Sequence, residues 1–255
     1  MRIVIPARYA STRLPGKPLL ELAGKPMLQH VWERAVASHA LEVVVATDDE
    51  RIARAADAFG ARVCMTDAGH ASGTERIAEV IDLMGWPDEE IIVNLQGDEP
   101  LMPVSLLDQV AQDLRDHPQA QVATLVAHLE NPGQLFDTAV VKVVLDSKGY
   151  ALYFSRAPIP WHREEMRWGE VASPQTARAH LRHIGLYAYR AKFIREYVGW
   201  KCTELERQEA LEQLRVLWHG GRIHASLAAE IPPAGVDTPE DVERVEWLLR
   251  QAAGQ

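Results

Sequence analysis

The chain has 255 residues, of which 47% are hydrophobic and 25% charged, a composition typical of a globular protein. Its formal net charge of −9 at pH 7 argues against nucleic acid as the main partner, because a phosphate backbone requires clustered lysine and arginine. Without a signal-peptide pattern or an apolar stretch of about 20 residues, the sequence predicts a cytoplasmic protein with no membrane insertion. The cysteines, Cys64 and Cys202, lack metal-ligand spacing, and two buried free thiols are expected.

Strand and helix patterns alternate through the first half of the chain. The apolar run RIVIP predicts a strand, and a helical spacing of apolar residues follows in PMLQHVWERAVAS. Further strands are predicted at EVVVAT, ARVCM, IIVNLQ and QVATLVAH, and further helices at DDERIARAADAFG, GTERIAEVIDLM and PVSLLDQVAQDLRD. This alternation is typical of right-handed βαβ units and predicts an α/β fold. The expected architecture is Rossmann-like: a mostly parallel twisted sheet with helices on both faces.

The second half is less regular. AVVKVVLD and YALYFSR predict adjacent strands, HIGLYAYR an alternating strand, ELERQEALEQLRVLW a helical segment and RIHASLA a last strand. In DTPEDVERVEWLLRQ, Thr238 is the predicted N-cap of a terminal helix and Asp241 its capping-box acid. We interpret residues 1–255 as a single α/β domain with an inserted lobe at approximately 150–215.

The loop that follows the first strand is unusually cationic. Residues 8–19 read RYASTRLPGKPL and contain Arg8, Arg13 and Lys17, while residues 1–20 contain no acidic residue. Two prolines stiffen this loop, and long cationic side chains on it could wrap a polyphosphate. A solvated basic loop is the other interpretation. The interleaved hydroxyl residues and the single glycine favour a phosphate site.

Asp98 lies just beyond the predicted strand IIVNLQ, in the stretch NLQGDEP. Ligands in open α/β sheets bind outside the carboxyl ends of the strands, so Asp98 is placed to hold a divalent cation that bridges nucleotide phosphates. Gln96 points to the same edge and could bind a polyol. The alternative is a loop aspartate that forms an Asx turn, and the segment alone favours neither interpretation.

Two further segments have both a structural and a functional interpretation. Asp237 precedes the N-cap of the terminal helix. In one interpretation its negative charge interacts favourably with the helix dipole, and in the other it shares a metal with Asp98. Ser72, Gly73 and Thr74 open a helix whose exposed amides suit an anion or a polar ring edge, or they form an ordinary N-cap.

The predicted lobe contains a mixture of cationic, amide, phenol and carboxylate side chains. An anionic sugar with many hydroxyl groups would need such a mixture for recognition. Exposed polar faces of a lobe are the alternative for each residue taken singly. The candidates are Arg156, Arg182, His183, Tyr187, Glu209 and Gln213.

Taken together and in order, these segments resemble the 3-deoxy-D-manno-octulosonate (Kdo) cytidylyltransferase family. The resemblance extends over essentially the full chain and rests on IPARYASTRLPGKPL, HASGTERIAEV, VNLQGDEP, ALYFSRAPIPW, RHIGLYAYR, LEQLRVLW and GVDTPED. It implies a nucleotide-diphospho-sugar transferase fold and a homodimer formed through the inserted lobe. It also implies CTP and Kdo as substrates, Mg²⁺ as cofactor and a role in lipopolysaccharide synthesis. Residues 162–180 resemble no fixed motif of the family.

The resemblance also assigns roles to individual residues. Catalytic roles are implied for Arg8, Lys17, Asp98 and Asp237, of which Asp98 and Asp237 would hold the metal. Contacts with CTP are implied for Ala7, Arg8, Ser11, Arg13, Lys17, Ser72, Gly73, Thr74, Arg76 and Asp98. Contacts with the sugar are implied for Gln96, Arg156, His183, Tyr187, Glu209 and Gln213.

The implied reaction is the attack of the anomeric hydroxyl of Kdo on the α-phosphorus of CTP, with release of pyrophosphate. No residue has the setting of a covalent nucleophile, so catalysis would rest on positioning and charge neutralisation. The nearest rival is a cytidylyltransferase for 8-amino-Kdo or a sialic acid. A hexose-1-phosphate nucleotidylyltransferase would carry a glycine-rich opening loop, and a nucleotide sensor of the same fold would bind CTP without turnover.

Overall fold

The computed structural model describes residues 1–10, 14–171 and 173–253. Its strands are β1 (Arg2–Ala7), β2 (Glu21–Leu22), β3 (Lys25–Pro26), β4 (Val43–Thr47), β5 (Arg62–Met65), β6 (Ile91–Asn94), β7 (Val122–His128), β8 (Lys142–Leu145), β9 (Ala151–Ser155), β10 (Met166–Arg167), β11 (Glu170–Val171), β12 (Leu181–Arg190) and β13 (Ile223–Leu227). Its helices are α1 (Met27–Val36), α2 (Glu50–Ala58), α3 (Gly73–Leu83), α4 (Val104–Asp116), α5 (Gly133–Phe136), α6 (Pro174–Arg178), α7 (Ala191–Val198), α8 (Glu204–Glu209), α9 (Gln213–Trp218) and α10 (Pro239–Ala253), with a 3-10 helix at Lys17–Leu19.

The main sheet runs in the order β13-β7-β12-β6-β1-β4-β5, and the β8–β9 hairpin joins it at β12. β1 pairs in parallel with both β4 and β6, β4 pairs in parallel with β5, and β13 pairs in parallel with β7. The predicted α/β class and mostly parallel sheet are therefore confirmed. The order reverses direction beside β1, and the carboxyl ends of β1 and β6 meet there, where doubly wound folds bind their ligands.

Two apolar layers cover the two faces of the sheet, and strand β1 contributes to both. Ile3 and Ile5 pack on the face covered by α1, α2 and α4, whereas Val4 packs on the face covered by α3 and α7. All three side chains are fully buried, and each contributes about 1.5–3 kcal/mol to folding. A strand with apolar residues on both faces is expected where helices cover both sides of a parallel sheet.

Strand β12 runs antiparallel to its neighbours in the middle of the sheet. Tyr187 stands opposite Asn94 of β6 on one side and Thr124 of β7 on the other. The strand predicted at HIGLYAYR is thus confirmed. It falls within the predicted lobe, yet it belongs to the central sheet, and the extent of the lobe at 150–215 stays a prediction. A bulge between Ile184 and Tyr187 adjusts the register with β7.

Helix ends follow the sequence signals in one case and depart from them in another. At the start of α10, the hydroxyl of Thr238 accepts from the N–H of Asp241, whose carboxylate accepts from the N–H of Thr238, which is the predicted capping box. The predicted helical segment ELERQEALEQLRVLW is instead two helices, because Ala210 adopts a left-handed conformation with φ of 50° between α8 and α9.

The thiols of Cys64 and Cys202 are both free, but only Cys64 is buried. The expectation that Cys202 would also be buried was wrong, because Cys202 lies in the loop between α7 and α8. In the described part of the chain, no helix is long and apolar enough to cross a membrane.

Candidate active site

The cationic loop after β1 folds back on itself at Gly16. The N–H of Gly16 donates to the carbonyl of Tyr9 at 3.0 Å, and Gly16 has φ of +70°, in the left-handed region that favours glycine. A Cβ atom at Gly16 would also meet the ring of Tyr9 at 3.2 Å. This turn starts the 3-10 helix that begins at Lys17. The predicted ligands Ser11 and Arg13 lie outside the described residues.

The loop after β6 crosses directly over the end of β1. A Cβ atom at Gly97 would lie 2.9 Å from the carbonyl oxygen of Pro6, so only glycine permits this approach. The loop then turns toward the segment before α10, where the N–H of Val236 donates to the carbonyl of Asp98 at 2.9 Å. Asp98 and Asp237, which are far apart in the chain, are brought to one place by these backbone contacts.

Lys17 joins these two carboxylates. Its Nζ atom lies 2.7 Å from Oδ2 of Asp98 and 3.0 Å from Oδ1 of Asp237. Burial lowers the pKa of Lys17, but the charge of Asp98 and the hydrogen bonds that Lys17 donates to Asp98 and Asp237 outweigh this, and the pKa is raised above its ordinary value. The ammonium group is therefore charged at neutral pH and holds the two carboxylates around one point.

A third carboxyl group lies beside this pair. Glu99 packs against Gly235, at which a Cβ atom would lie 2.9 Å from Oε1 of Glu99. Burial raises the pKa of Glu99 to about 8, and the negative charges of Asp98 and Asp237 contribute to the rise. Glu99 is therefore mostly protonated at pH 7.

Lys17, Asp98 and Asp237 line an open cavity of about 370 Å³, which we call the cationic cleft. Its lining residues are Pro6, Ala7, Arg8, Ala10, Lys17, Pro18, Met27, Gly73, Gln96, Gly97, Asp98 and Asp237. Nη1 of Arg8 donates to the carbonyl of Ala71 at 3.4 Å, while Nη2 is buried and has no hydrogen-bond partner among the described residues. A buried guanidinium N–H without a partner is costly, and an anion bound in the cleft would satisfy it.

The first turn of α3 reaches the same cleft. The hydroxyl of Ser72 accepts from the N–H of Glu75 at 3.2 Å, so Ser72 is an ordinary N-cap, as one of the two interpretations predicted. Gly73 lines the cleft, and Arg76 lies one turn further into the helix. Arg76 is fully buried, and its guanidinium pairs with Asp48 at 3.1 Å, which joins α3 to the loop after β4.

A second cavity of about 340 Å³ adjoins the cleft, and we call it the polar cavity. It is lined by Gly73, Thr74, Asn94, Gln96, Val122, Gly185, Tyr187, Tyr189, Tyr197, Ala210, Leu211, Glu212, Gln213 and Val216. Gly73 and Gln96 line both cavities, so the two spaces meet at these residues. Nε2 of Gln96 donates to Oδ1 of Asn94 at 3.3 Å, which fixes the amide at the junction.

The polar groups of this cavity are kept neutral or held by hydrogen bonds. Burial raises the pKa of Tyr187, so its hydroxyl group remains a donor at physiological pH. Burial also raises the pKa of Glu212, whose carboxylate accepts from the hydroxyl of Thr74 at 3.2 Å. Nε2 of Gln213 is buried and has no hydrogen-bond partner in the described part of the chain. Such an unsatisfied amide at a cavity wall is a ready donor to a ligand hydroxyl.

His183 supports the cavity from behind Tyr187, with ring centroids 5.2 Å apart. The hydroxyl of Thr124 lies 2.8 Å from the carbonyl of Leu186 and so donates to it, and it must accept from Nε2 of His183 at 3.0 Å. Burial, assisted by the charge of Arg182, lowers the pKa of His183 to about 3. The ring is therefore neutral with its hydrogen on Nε2.

Two predicted sugar ligands lie away from the polar cavity and bind each other. The carboxylate of Glu209 accepts from the backbone N–H of Arg156 at 2.9 Å and from the hydroxyl of Ser155 at 2.5 Å. Nε of Arg156 donates to the carbonyl of Glu209 at 2.7 Å. In a continuous helix Glu209 and Gln213 would share a face, but the break at Ala210 directs them to different places.

Sequence reasoning missed several residues of the polar cavity. Glu212 is the clearest, because it lies next to the predicted residue Gln213 in LEQLRVLW and lines the same cavity. The residue that separates α8 from α9 is Ala210, and an alanine does not predict a left-handed conformation as a glycine or an asparagine would. Asn94, Tyr189 and Tyr197 were missed because strand positions and helix faces meet at the cavity only in three dimensions.

The pair Asp98 and Asp237 fits a magnesium ion in the chemistry of its donors. Mg²⁺ is usually held by one or two carboxylates together with phosphate oxygens and water, and the two carboxylates here converge beside a cleft suited to phosphate. Among the described residues, Asp113, His117 and His224 also cluster. The two imidazoles stack with centroids 3.4 Å apart, and each Nδ1 atom lies 2.8 Å from an oxygen of Asp113, which can only accept, so both Nδ1 atoms carry hydrogens and offer no lone pair to a metal.

The fold and the site together define a nucleotidyltransferase of the α/β class. The chain matches the family model described as cytidylyltransferase over residues 2–223. It is 53% identical to 3-deoxy-manno-octulosonate cytidylyltransferase from Pasteurella multocida over 256 residues, covering 98% of each chain. It is 56% identical to the protein of the same name from Nitrosococcus oceani over 248 residues, covering 97% of this chain and 96% of the relative.

A solved structure agrees with these relatives. CMP:2-keto-3-deoxy-manno-octonic acid synthetase, complexed with CTP, superposes with a TM-score of 0.88 at 43% identity and covers 98% of both chains. The chain belongs to the family of 3-deoxy-manno-octulosonate cytidylyltransferases, as its sequence motifs predicted.

Proposed function

We propose that the protein transfers the cytidylyl group of CTP to Kdo, giving CMP-Kdo and pyrophosphate. The observation that carries this proposal is the meeting of the cationic cleft and the polar cavity at Gly73 and Gln96, on the carboxyl edge of the sheet. A triphosphate suits the first space and a polyhydroxy acid the second. The names of the relatives and the CTP complex of the structural neighbour support the same reaction.

The cleft would bind the triphosphate through its cations. Arg8 offers the buried Nη2 group, and Lys17 offers an ammonium group at the base of the cleft. Both groups would neutralise the charge that develops on the departing pyrophosphate. Helix α3 begins at Gly73, which lines both spaces, so the backbone amides of its first turn suit the α-phosphate or the ribose. Arg13 and Ser11 extend the predicted set.

Asp98 and Asp237 would hold a magnesium ion against the triphosphate. When bound, this ion supplies charge neutralisation and lowers the pKa of a coordinated hydroxyl group. The chain fixes the geometry beforehand, because the backbone bond from Val236 to Asp98 keeps the two carboxylates on the same side of the cleft. Glu99 is mostly protonated at neutral pH, so it adds little negative charge that would repel the phosphates.

The polar cavity would orient the sugar so that its C2 hydroxyl faces the α-phosphorus across the junction. The hydroxyl oxygen forms the new bond to phosphorus, the bond to the β-phosphate oxygen breaks, and the hydroxyl proton is released to water. Gln96, Tyr187 and Gln213 would bind sugar hydroxyls, with Glu212 as an additional acceptor. Catalysis then rests on positioning and charge neutralisation, since none of the described residues that line the two spaces has the setting of a covalent nucleophile.

The family resemblance supports further proposals about context. We propose that the enzyme acts in the cytoplasm, supplies lipopolysaccharide synthesis, and forms a homodimer through the lobe. Trp168 in that region is 82% exposed, which is unusual for tryptophan and is consistent with an interface. Sedimentation equilibrium should give a mass of two chains. A monomer at micromolar concentration would contradict the homodimer.

The reaction is tested by pyrophosphate release with CTP and Mg²⁺ in the presence of Kdo, 8-amino-Kdo or N-acetylneuraminate. We expect turnover with Kdo to exceed turnover with the other acids. A preference for 8-amino-Kdo would support the proposed cytidylyl transfer but would show that the acceptor is 8-amino-Kdo and not Kdo. Binding of CTP without turnover of any acid would indicate a nucleotide sensor and contradict the proposal.

A further inference from the structure

The position of Lys17 raises a question about how a metal reaches the carboxylate pair. Nζ of Lys17 contacts both Asp98 and Asp237, at 2.7 and 3.0 Å. The lysine side chain is 11% exposed, whereas the two aspartate side chains are 38% and 54% exposed. The ammonium group therefore occupies the space between the carboxylates, while the carboxylates themselves remain open to the cleft.

A magnesium ion held jointly by the two carboxylates would need that same space. Its bonds to oxygen are about 2.0–2.1 Å long, so an ion between Asp98 and Asp237 would lie in contact with Nζ of Lys17. Two cations at contact distance repel strongly, and the hydrogen bonds of Nζ use the carboxylate oxygens that face the ion. The lysine and the metal cannot both be bound between the carboxylates.

The side chain of Lys17 can leave the carboxylates by rotation about its own bonds, without movement of its backbone. The backbone is fixed by the turn at Gly16, by the bond from its N–H to the carbonyl of Leu14 at 3.0 Å, and by Pro18. The four-carbon stem can still rotate, because a lysine ammonium is a point charge on a flexible chain. Arg8, with its unpartnered Nη2, marks where anionic oxygens would be received in the same cleft.

We propose that Lys17 and the divalent cation are alternative occupants of the space between Asp98 and Asp237, so that the metal enters the pair only when the triphosphate draws Lys17 away. This inference rests on the proposed function for the identity of the triphosphate. Lys17 thus has two successive roles: it neutralises the carboxylates in the free enzyme and then the phosphates in the complex. Nucleotide and metal binding are consequently coupled, and each strengthens the other.

The test measures the affinity of the full chain for Mn²⁺ in the absence of nucleotide. The concentration of free Mn²⁺ is read from its electron paramagnetic resonance signal. We expect Lys17→Met to bind Mn²⁺ at least tenfold more tightly than the wild type, because the competing cation has been removed. In Lys17→Met with Asp98→Asn the gain should disappear. Equal affinity of Lys17→Met and the wild type would overturn the proposal.

Two matched variants separate exchange from a general change of charge. Arg8→Met removes one positive charge from the same cleft but not from between the carboxylates, and Lys25→Met removes an ammonium group paired with Glu33 at 2.7 Å elsewhere. Both should change the affinity for Mn²⁺ less than threefold. If Arg8→Met gave the same gain as Lys17→Met, the effect would be general electrostatics and the exchange would be refuted.

A variant that folds poorly does not prevent the test. Lys17→Gln keeps a hydrogen-bond donor without the charge and should show an intermediate gain, and Mn²⁺ should raise the melting temperature of Lys17→Gln more than that of the wild type. An equal rise in both would count against exchange. The proposed function is judged separately by pyrophosphate release from the wild type with CTP and Kdo, so either proposal can fail while the other stands.

Discussion

The cationic cleft and the polar cavity adjoin, yet they are built on different principles. The cleft is open and charged, and its contacts join residues 81 and 220 positions apart, as Lys17 does with Asp98 and Asp237. The polar cavity is walled by tyrosines and by amide and carboxyl groups, and burial raises the pKa values of Tyr187 and Glu212. Charge suits the part of a reaction in which phosphate oxygens gain charge, whereas neutral donors suit selection among sugars.

The largest difference between the two regions should appear on removal of a cleft carboxylate. Asp98→Asn and Asp237→Asn should each reduce turnover about 10³-fold, because each removes a metal-binding charge while keeping the side-chain shape. Pyrophosphate release measures the effect, and circular dichroism should show an intact fold. Asp57→Asn, at an exposed position on α2, is the matched control. Near wild-type release from either cleft variant would contradict the shared metal site.

A smaller but still large effect is expected at Lys17. Lys17→Ala should reduce kcat about 10²-fold and also raise the KM for CTP, because the ammonium group is expected to bind the triphosphate more strongly as pyrophosphate departs. Steady-state kinetics at varied CTP separate the two parameters. A change in KM alone would show that Lys17 binds the ground state and the transition state equally well. Lys17 would then contribute to CTP binding and not to catalysis.

In the polar cavity the expected loss is about tenfold and concerns the sugar alone. Gln213→Leu removes the unpartnered Nε2 donor, so the KM for Kdo should rise about tenfold while the KM for CTP stays unchanged. The stability of the free protein should not fall, because a buried amide without a partner is replaced by an apolar side chain of similar size. An equal rise in both KM values would contradict the assignment of the polar cavity to the sugar and of the cationic cleft to CTP.

The smallest effect concerns His183, which supports the polar cavity, and the stability of the protein at acid pH. The pKa of His183 is lowered from 6.5 to about 3, so between these values the unfolded chain binds more protons than the folded chain. The contribution of His183 to stability is therefore full above pH 6.5 and is lost as the pH falls toward 3. His183→Gln should lose about 1 kcal/mol less than the wild type between pH 6.5 and pH 5.5, measured by urea unfolding.

The control for this prediction is His39→Gln, because the side chain of His39 is 92% exposed. Its acid profile should run parallel to that of the wild type, since exposed ion pairs contribute little. If His183→Gln also ran parallel, His183 would not be held neutral in the folded protein, and the hydrogen assigned to its Nε2 would have to be reconsidered.

The two regions also differed in how far the sequence could predict them. Asp98 and Gln96 follow a buried strand, and Arg8 and Lys17 follow another, so the rule that ligands bind at the carboxyl ends of parallel strands was sufficient to group them. In the polar cavity, Tyr187 and Gln213 were predicted and line the wall, whereas Glu212 lines the wall without having been predicted. Glu209 stays a prediction, and its place outside the wall follows from a helix that ends at Ala210 without a sequence signal.

The sequence by itself determined the order of strands and helices, the face of each helix that is buried, and the cationic loop beyond β1. These features depend on the local spacing of apolar residues and on turn residues, which act over short stretches of chain. Only the tertiary structure decided that β12 enters the middle of the sheet, that Gly97 crosses over Pro6, and that Lys17 stands between two aspartates. Such contacts join distant segments, and they form because the packed sheet brings those segments together.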